Sequence, residues 1–526
     1  MYVYDRRAMP RASGIVSFVL VLAVADARAD APYTPPDFLS VTPPLPVALD
    51  GPTVWRLDLA EALRIAVRQN LDVVLERKTV EISRLGIDVA RGAFEPTIAG
   101  GFGHDDTRSP PATSQAGSAD EILTDVNDSW RLAIGQQLPT GTRLELDFTN
   151  GRSQSSGGTA VQPLNYRSTL AFTVIQPLFR GFSPDLAIPR VEVLRATIAS
   201  AREREQLAVA VASIVERAES AYWGVMLALY RYDLALRSHK AADEQMALTR
   251  RQITAGTLPP SDLIGAESTL AQRSLELVQA EEGIHQASDV LRAVLNLPRG
   301  EWSRPILPVD VPRFQPGTAS AEDALDIAIK HRPELAQLDL DLKTAVLATR
   351  KAENDKLPQI DLGLTGTLFG QDKVYSGTLS QLSSTDARGW SVLLNLSWTP
   401  LQRSTSATAE ITRIQHQQTV IRREQLVQTV WFEVREGVRN QLGAERRLKA
   451  AAKFRGLAEK TLEIEQRKFL NGTSQNIVVA QRQDELARAR LAELDALLAH
   501  TRASTTLARA TGRLLADRHI ELEVGK

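Results

Sequence analysis

The chain states one long unit twice. Glu61-Ala62-Leu63-Arg64-Ile65-Ala66 returns as Asp323-Ala324-Leu325-Asp326-Ile327-Ala328, a shift of 262 residues that also carries Ala90 onto Ala352, Pro96 onto Pro358 and Ile98 onto Ile360. Further along, Ala255-Gly256-Thr257 is echoed by Asn471-Gly472-Thr473, and Leu263-Ile264-Gly265-Ala266 by Ile477-Val478-Val479-Ala480. Two copies of about 200 residues or more exclude a solenoid, whose units run to roughly 20–50 residues. One large helix-and-strand unit therefore has to be explained only once.

The opening residues read as an export signal. Arg6, Arg7 and Arg11 precede the apolar run Ile15 to Ala25, and Ala27-Arg28-Ala29 offers a small-x-small cleavage site. That run is too short to span a bilayer, and no other stretch is long enough. Seven prolines between Pro32 and Pro52 favour an extended tail. A net charge of −1 gives no argument for nucleic acid. With no cysteine in the chain, disulfides, thiolate metal sites and thiol catalysis are excluded together.

Each half opens on an expected helix, Leu57 to Gly92 and Ala321 to Asn354, and then changes period. Trp390, Val392, Leu394, Leu396 and Trp398 alternate with Ser391, Leu393, Asn395 and Ser397, the mark of a strand with one apolar face. Trp130, Leu132 and Ile134, then Leu144, Leu146 and Phe148, then Leu170, Phe172 and Val174 repeat that pattern in the first half. The tryptophans at 390 and 398 stand about 26 Å apart at roughly 3.3 Å per residue. That spacing suits the aromatic girdles of an outer-membrane strand. Four to six candidate strands are fewer than the eight or so a membrane barrel needs, so several chains must build it together.

A very long helix follows the strands in each half. Leu207, Val211, Ile214, Ala218, Ala221, Val225, Ala228 and Tyr232 keep a 4-3 spacing, a coiled-coil seam rich in small residues. A Gly-Thr turn then leads into a shorter helix. The expected organisation is a signal peptide over 1–29, a Pro-rich extension over 30–56, and a first repeat over 57–297. That repeat holds a helix, strands within 96–178, a long helix over 189–255 and a helix over 261–295. After a linker over 298–320, the second repeat (321–515) has strands within 358–398 and helices over 401–470 and 475–511, with a tail over 516–526. The fold class is mainly α with a β-barrel portion: duplicated antiparallel helical hairpins plus a transmembrane barrel completed by oligomerisation.

These features together resemble the TolC-like outer membrane efflux proteins. The phrases that carry the resemblance are Ala324 to Ala328 with His331-Arg332-Pro333-Glu334-Leu335, then Gln176-Pro177-Leu178-Phe179-Arg180-Gly181. The third is Phe469-Leu470-Asn471-Gly472-Thr473 followed by Ile477-Val478-Val479-Ala480. The resemblance implies a homotrimer with one shared barrel in outer membrane lipid and an α-barrel tunnel across the periplasm. It implies docking on a periplasmic adaptor (membrane fusion) protein and on an inner-membrane pump or ABC exporter. No cofactor and no enzymatic chemistry are implied.

The resemblance also assigns the turns, Gly256, Thr257, Gly472 and Thr473, to a closed tunnel tip that receives the adaptor. Asp262 matches an aspartate of the family's tip. Phe469 and Ser474 stand where a tyrosine and an arginine tether it shut, and Asn476 and Val479 where two acids ring the aperture. The tether and acid ring are thus mostly missing here. The histidines form no metal-ligand pair such as His-Glu-x-x-His, and Gly100-Gly101-Phe102-Gly103 suits a closely packed strand rather than a phosphate loop. A rival reading is a periplasmic coiled-coil scaffold or pump adaptor, which would have no reason for girdled strands. Whether the first half supplies two or four membrane strands is left open by the pattern alone.

Overall fold

The computed structural model describes residues 54–110, 122–156, 164–312, 314, 316–317, 320–471, 473–474 and 476–522. The expected signal peptide and most of the Pro-rich extension lie outside the described residues. The first repeat holds β1 (Trp55–Leu57), α1 (Leu59–Gln69), α2 (Leu71–Arg91), β2 (Thr97–Ser109), β3 (Leu123–Gln137), β4 (Arg143–Ser156), β5 (Leu164–Pro177), α3 (Val191–Thr254) and α4 (Ser261–Leu295). After β6 (Ile306–Pro308), the second repeat runs α5 (Ala321–His331), α6 (Pro333–Asp355), β7 (Gln359–Asp372), α7 (Tyr375–Ser384), β8 (Arg388–Ser397), α8 (Arg403–Leu470) and α9 (Asn476–Ala510), with α10 (Leu514–Asp517) at the end.

The helices follow the heptads. Every residue of the 207–232 seam is buried, and α3, with 64 residues, reaches about 96 Å. It is covered by α1 and α2 on one side of its middle and α4 on the other. The repeat is visible in the packing: Ala62 and Ala66 are buried, and so are their counterparts Ala324 and Ala328. Small side chains at those positions let α1 and α5 approach the long helices closely.

The opening helices depart from expectation. The one helix expected over 57–92 is two, broken at Asn70, and the one expected over 321–354 is broken at Arg332, the position 262 residues on. Pro333 drives the residue before it out of the helical region, and Arg332 sits at φ −77, ψ 120. Asn70 does the same work with hydrogen bonds. Its side chain accepts from Asp72 N–H and donates to Val294 O at 2.9 Å, tying the break to the end of α4. Gly512 then packs against the second break at φ +73, where a Cβ would lie 2.5 Å from His331 O.

Two further departures lie outside the helices. The expected linker contains β6, which pairs in parallel with β1 beside the buried Tyr222. Asp310 just beyond it accepts from Leu59 N–H at 2.6 Å and lies 2.7 Å from Tyr222 Oη. The second strand region contains a helix, α7, between its two strands. The linker thus belts the middle of the rod, because its backbone groups and carboxylate find partners there.

The helices set out two layers of four. Nearest the strands the packing order is α2, α3, α6, α8; nearest the turns it is α4, α3, α9, α8. The strands make one six-stranded antiparallel sheet, in the order β2-β3-β4-β5-β7-β8. The edge helices lead directly into the edge strands: α2 runs into β2, and β8 runs into α8.

Candidate functional site

The sheet has two chemically distinct faces, and the register aligns them across all six strands. Ile134 opposes Leu146, which opposes Phe172. Leu132 opposes Phe148 and that residue Leu170, while Val174, Leu364 and Val392 line up on the remaining strands. All stand on the same side as Trp390, Leu394 and Leu396. The other side is mostly polar or small, with Ile175, Phe369 and Leu393 as its large apolar residues. There Arg131 bonds Asp147 and Glu145 on the neighbouring strand, and Thr173 meets Thr365 at 3.2 Å. Strict alternation along each strand, kept in phase by antiparallel pairing, is the physical origin of this division.

Trp390 sits on the apolar side, 83% exposed, and Trp398, just past the end of β8, is 57% exposed. A second aromatic group lies at the end of that side away from the helices. Trp130 meets Phe148 edge-on at 5.2 Å, and Tyr375 of α7 leans on both Trp130 and Tyr166. Sequence reading missed Tyr166 and Tyr375. Tyr166 shares the strand period of Leu170 and Phe172 and was recoverable; Tyr375 is brought there only by the fold of α7. Below them Ser168 donates to Asn150 Oδ1 and contacts Thr378.

At the other end of the rod the two turns make matching threonine bonds. Thr257 N–H bonds Gln252 O at 2.9 Å and Gly256 N–H bonds Ile253 O at 3.0 Å, with Gly256 at φ +73. This is the Schellman closure, which calls for a residue in the left-handed region. Thr257 Oγ1 adds a bond to the same carbonyl, and Thr473 makes the matching pair of bonds to Lys468 O. The first turn therefore needs its Gly-Thr pair, and Thr473 repeats the threonine's part in the second. A Cβ added at Gly256 would meet nothing within 4 Å, so the space beside this turn is open.

The remaining tip residues take different places. Asp262 is exposed in the first turn of α4. Val479, aligned by resemblance with a ring acid, is 8% exposed and packs inside the subunit. Ser474, at the position of the family's tethering arginine, donates to Glu465, which also faces Lys468. The Ser474 hydrogen bond holds the Glu465 carboxyl below its usual range. Gly472 and the side chains of Phe469 and Asn476 lie outside the described residues. Sequence reading missed Glu465 and the Arg273–Asp484 ion pair, which joins α4 to α9 across the two hairpins. Among the described residues no group of three or more metal-ligating side chains comes together, and no helix is long and apolar enough to cross a membrane.

The chain thus combines a two-faced six-stranded antiparallel sheet with paired long helical hairpins. Residues 324–513 match the family model of the outer membrane efflux proteins. It is similar in structure to a membrane protein from Pseudomonas aeruginosa, at 17% identity and a TM-score of 0.62, covering 86% of this chain and 93% of that one. It is also similar to the Campylobacter jejuni CmeC outer membrane channel, at 12% identity and a TM-score of 0.62, with 87% and 86% covered. The open state of the Neisseria gonorrhoeae MtrE outer membrane channel matches at 17% identity and a TM-score of 0.60, with 87% and 89% covered. At these identities the likeness is one of fold. No curated protein sequence matches the chain.

Proposed function

We propose that the chain is one subunit of a homotrimeric duct, set in the outer membrane by its sheet and crossing the periplasm by its helices. The observation that carries this reading is the continuous apolar face of the sheet, exposed in the single chain, with a polar face behind it. Water-soluble sheets bury such a face; lipid is the solvent that tolerates it. The sheet is also open at both edges, which a bilayer does not tolerate. The edge helices carry matching apolar stripes. Leu71, Leu75, Ile82, Leu85 and Val89 are exposed along α2, and Ile414, Ile421, Leu457 and Ile464 along α8. Copies set side by side would cover both stripes and both sheet edges.

The duct performs no chemistry. It serves a tripartite efflux or type I secretion system, and the energy comes from an inner-membrane pump or ABC exporter. The open space beside the Gly256 turn suits the hairpin of a periplasmic adaptor. A coiled-coil scaffold explains the helices equally well and leaves the apolar sheet face without a purpose.

The test is localisation and stoichiometry together. Crosslinking in cell envelopes should give a species of three chains in the outer-membrane fraction, with heat-modifiable migration on gels. A monomer in the soluble periplasm would overturn the reading.

A further inference from the structure

We propose that the membrane wall contains eighteen strands, six from each of three copies, with β8 of one copy pairing with β2 of the next. This rests on the trimeric duct reading and adds to it the size and seam of the barrel. Six strands lie in one sheet with an unbroken register, so none is an ornament on a smaller wall.

The β3–β4 hairpin decides the count. If it were a plug or a loop outside the membrane, its apolar residues would have no reason to keep phase with the other strands. They do keep phase: Leu132 and Ile134 of β3, and Leu146 and Phe148 of β4, stand on the same side as Leu394 and Leu396. Level with these apolar residues the charged side chains Arg131, Glu145 and Asp147 stand on the opposite side and pair there, while Asp128 and Arg152, on the apolar side, pair with each other nearer the end of the sheet away from the helices. With 15 and 14 residues, both strands exceed the roughly 9–11 needed to cross a hydrocarbon core. The turn between them lies at the helical end of the sheet, where Gly141 N–H bonds Leu138 O. A Cβ at Gly141 would touch Pro177 and Pro189, so this turn is seated against the base of the wall.

The seam follows from direction. Six antiparallel strands leave β2 and β8 running opposite ways, so β8 of one copy meets β2 of the next as an antiparallel pair. Apolar faces join only if Trp390, Val392 and Leu394 share a side with Ile98 and Phe102, which fixes the parity of the register. Gly100, on the apolar side, leaves room beside β2 for the bulky β8 side chains.

Width separates this wall from a smaller one. At about 4.8 Å between strands and a tilt of about 40°, eighteen strands place the backbone about 18 Å from the axis and twelve about 12 Å. Three symmetry-related Cα atoms would then lie about 31 Å apart in the first case and about 21 Å in the second. The chain has no cysteine, so introduced thiols report without background. Spin labels on Thr365→Cys, in the central region of β7 and on the polar face, should give a pulsed-dipolar distance near the larger value. Phe102→Cys paired in turn with Trp390→Cys, Val392→Cys or Leu394→Cys should yield a covalent trimer from at least one pair on oxidation. The shorter distance, or a trimer by amine crosslinking that no β2–β8 thiol pair captures, would overturn the eighteen-strand wall and leave the duct reading intact. A chain that is never trimeric in the outer membrane overturns both.

Discussion

The two repeats agree in their helices and disagree in their strands. α4 and α9 are both 35 residues long, and α3 and α8 differ by only four residues, at 64 and 68. The first repeat nevertheless places four strands in the sheet and the second two. The difference has a physical cause. The long helices and their partners lie side by side along one rod, so a change in one length would leave another helix uncovered. An antiparallel sheet accepts an extra hairpin at no cost to topology, because two strands restore the chain to the side it left. Helix length is a shared constraint; strand number is a local choice.

The sharpest way to break this comparison is to charge the apolar face in each repeat. Leu394→Arg in β8 and Leu146→Arg in β4 should each cost about 2–4 kcal/mol at mid-membrane, read as loss of heat-modifiable oligomer from the outer-membrane fraction. Asn395→Arg and Thr149→Arg, on the polar face, should assemble near normally. If Leu146→Arg is tolerated while Leu394→Arg is not, the β3–β4 hairpin is outside the wall and the repeats are more alike than the sheet suggests.

A smaller effect is expected at the turns, where the repeats match. Gly256→Val forces a β-branched residue into the left-handed region, at roughly 1–2 kcal/mol. Gly256→Asn keeps the conformation and still fills the space beside the turn. Export should fall in both variants with membrane insertion unchanged. Normal export by the Asn variant would reduce this glycine to a turn former and remove the docking role.

The smallest effect concerns a core difference. His500 of α9 is buried against Phe314, and neither ring nitrogen has a hydrogen-bond partner among the described residues. Burial holds its imidazole below the usual 6.5, against the pull of Glu445. As pH falls below 6.5 the unfolded chain takes up a proton that the folded chain resists. Its contribution is therefore intact above that pH and lost progressively below it. The first repeat buries no histidine among the described residues. Thermal melts of the wild type should lose more stability between pH 8 and pH 5 than melts of His500→Leu. Parallel pH profiles would show that other groups set the acid response.

By itself the sequence determined what repeats along the chain. The 4-3 seam of α3, the Gly-Thr turns and the apolar alternation of Leu394 or Leu146 were legible, because each depends on neighbours within a few residues. Even the break at Arg332 was open to reading from Pro333. The tertiary structure decided what depends on distant partners. Asn70 breaks its helix by bonding Val294 O, which no local pattern announces. The β3–β4 hairpin is identifiable as part of the six-stranded sheet only once its register against β2 and β5 is known. Tyr375 reaches the aromatic group through a helix inserted between strands, and Val479 turns into the subunit where alignment by resemblance had set it at the aperture. Periodicity fixes which face of an element is apolar, and only packing fixes what that face meets.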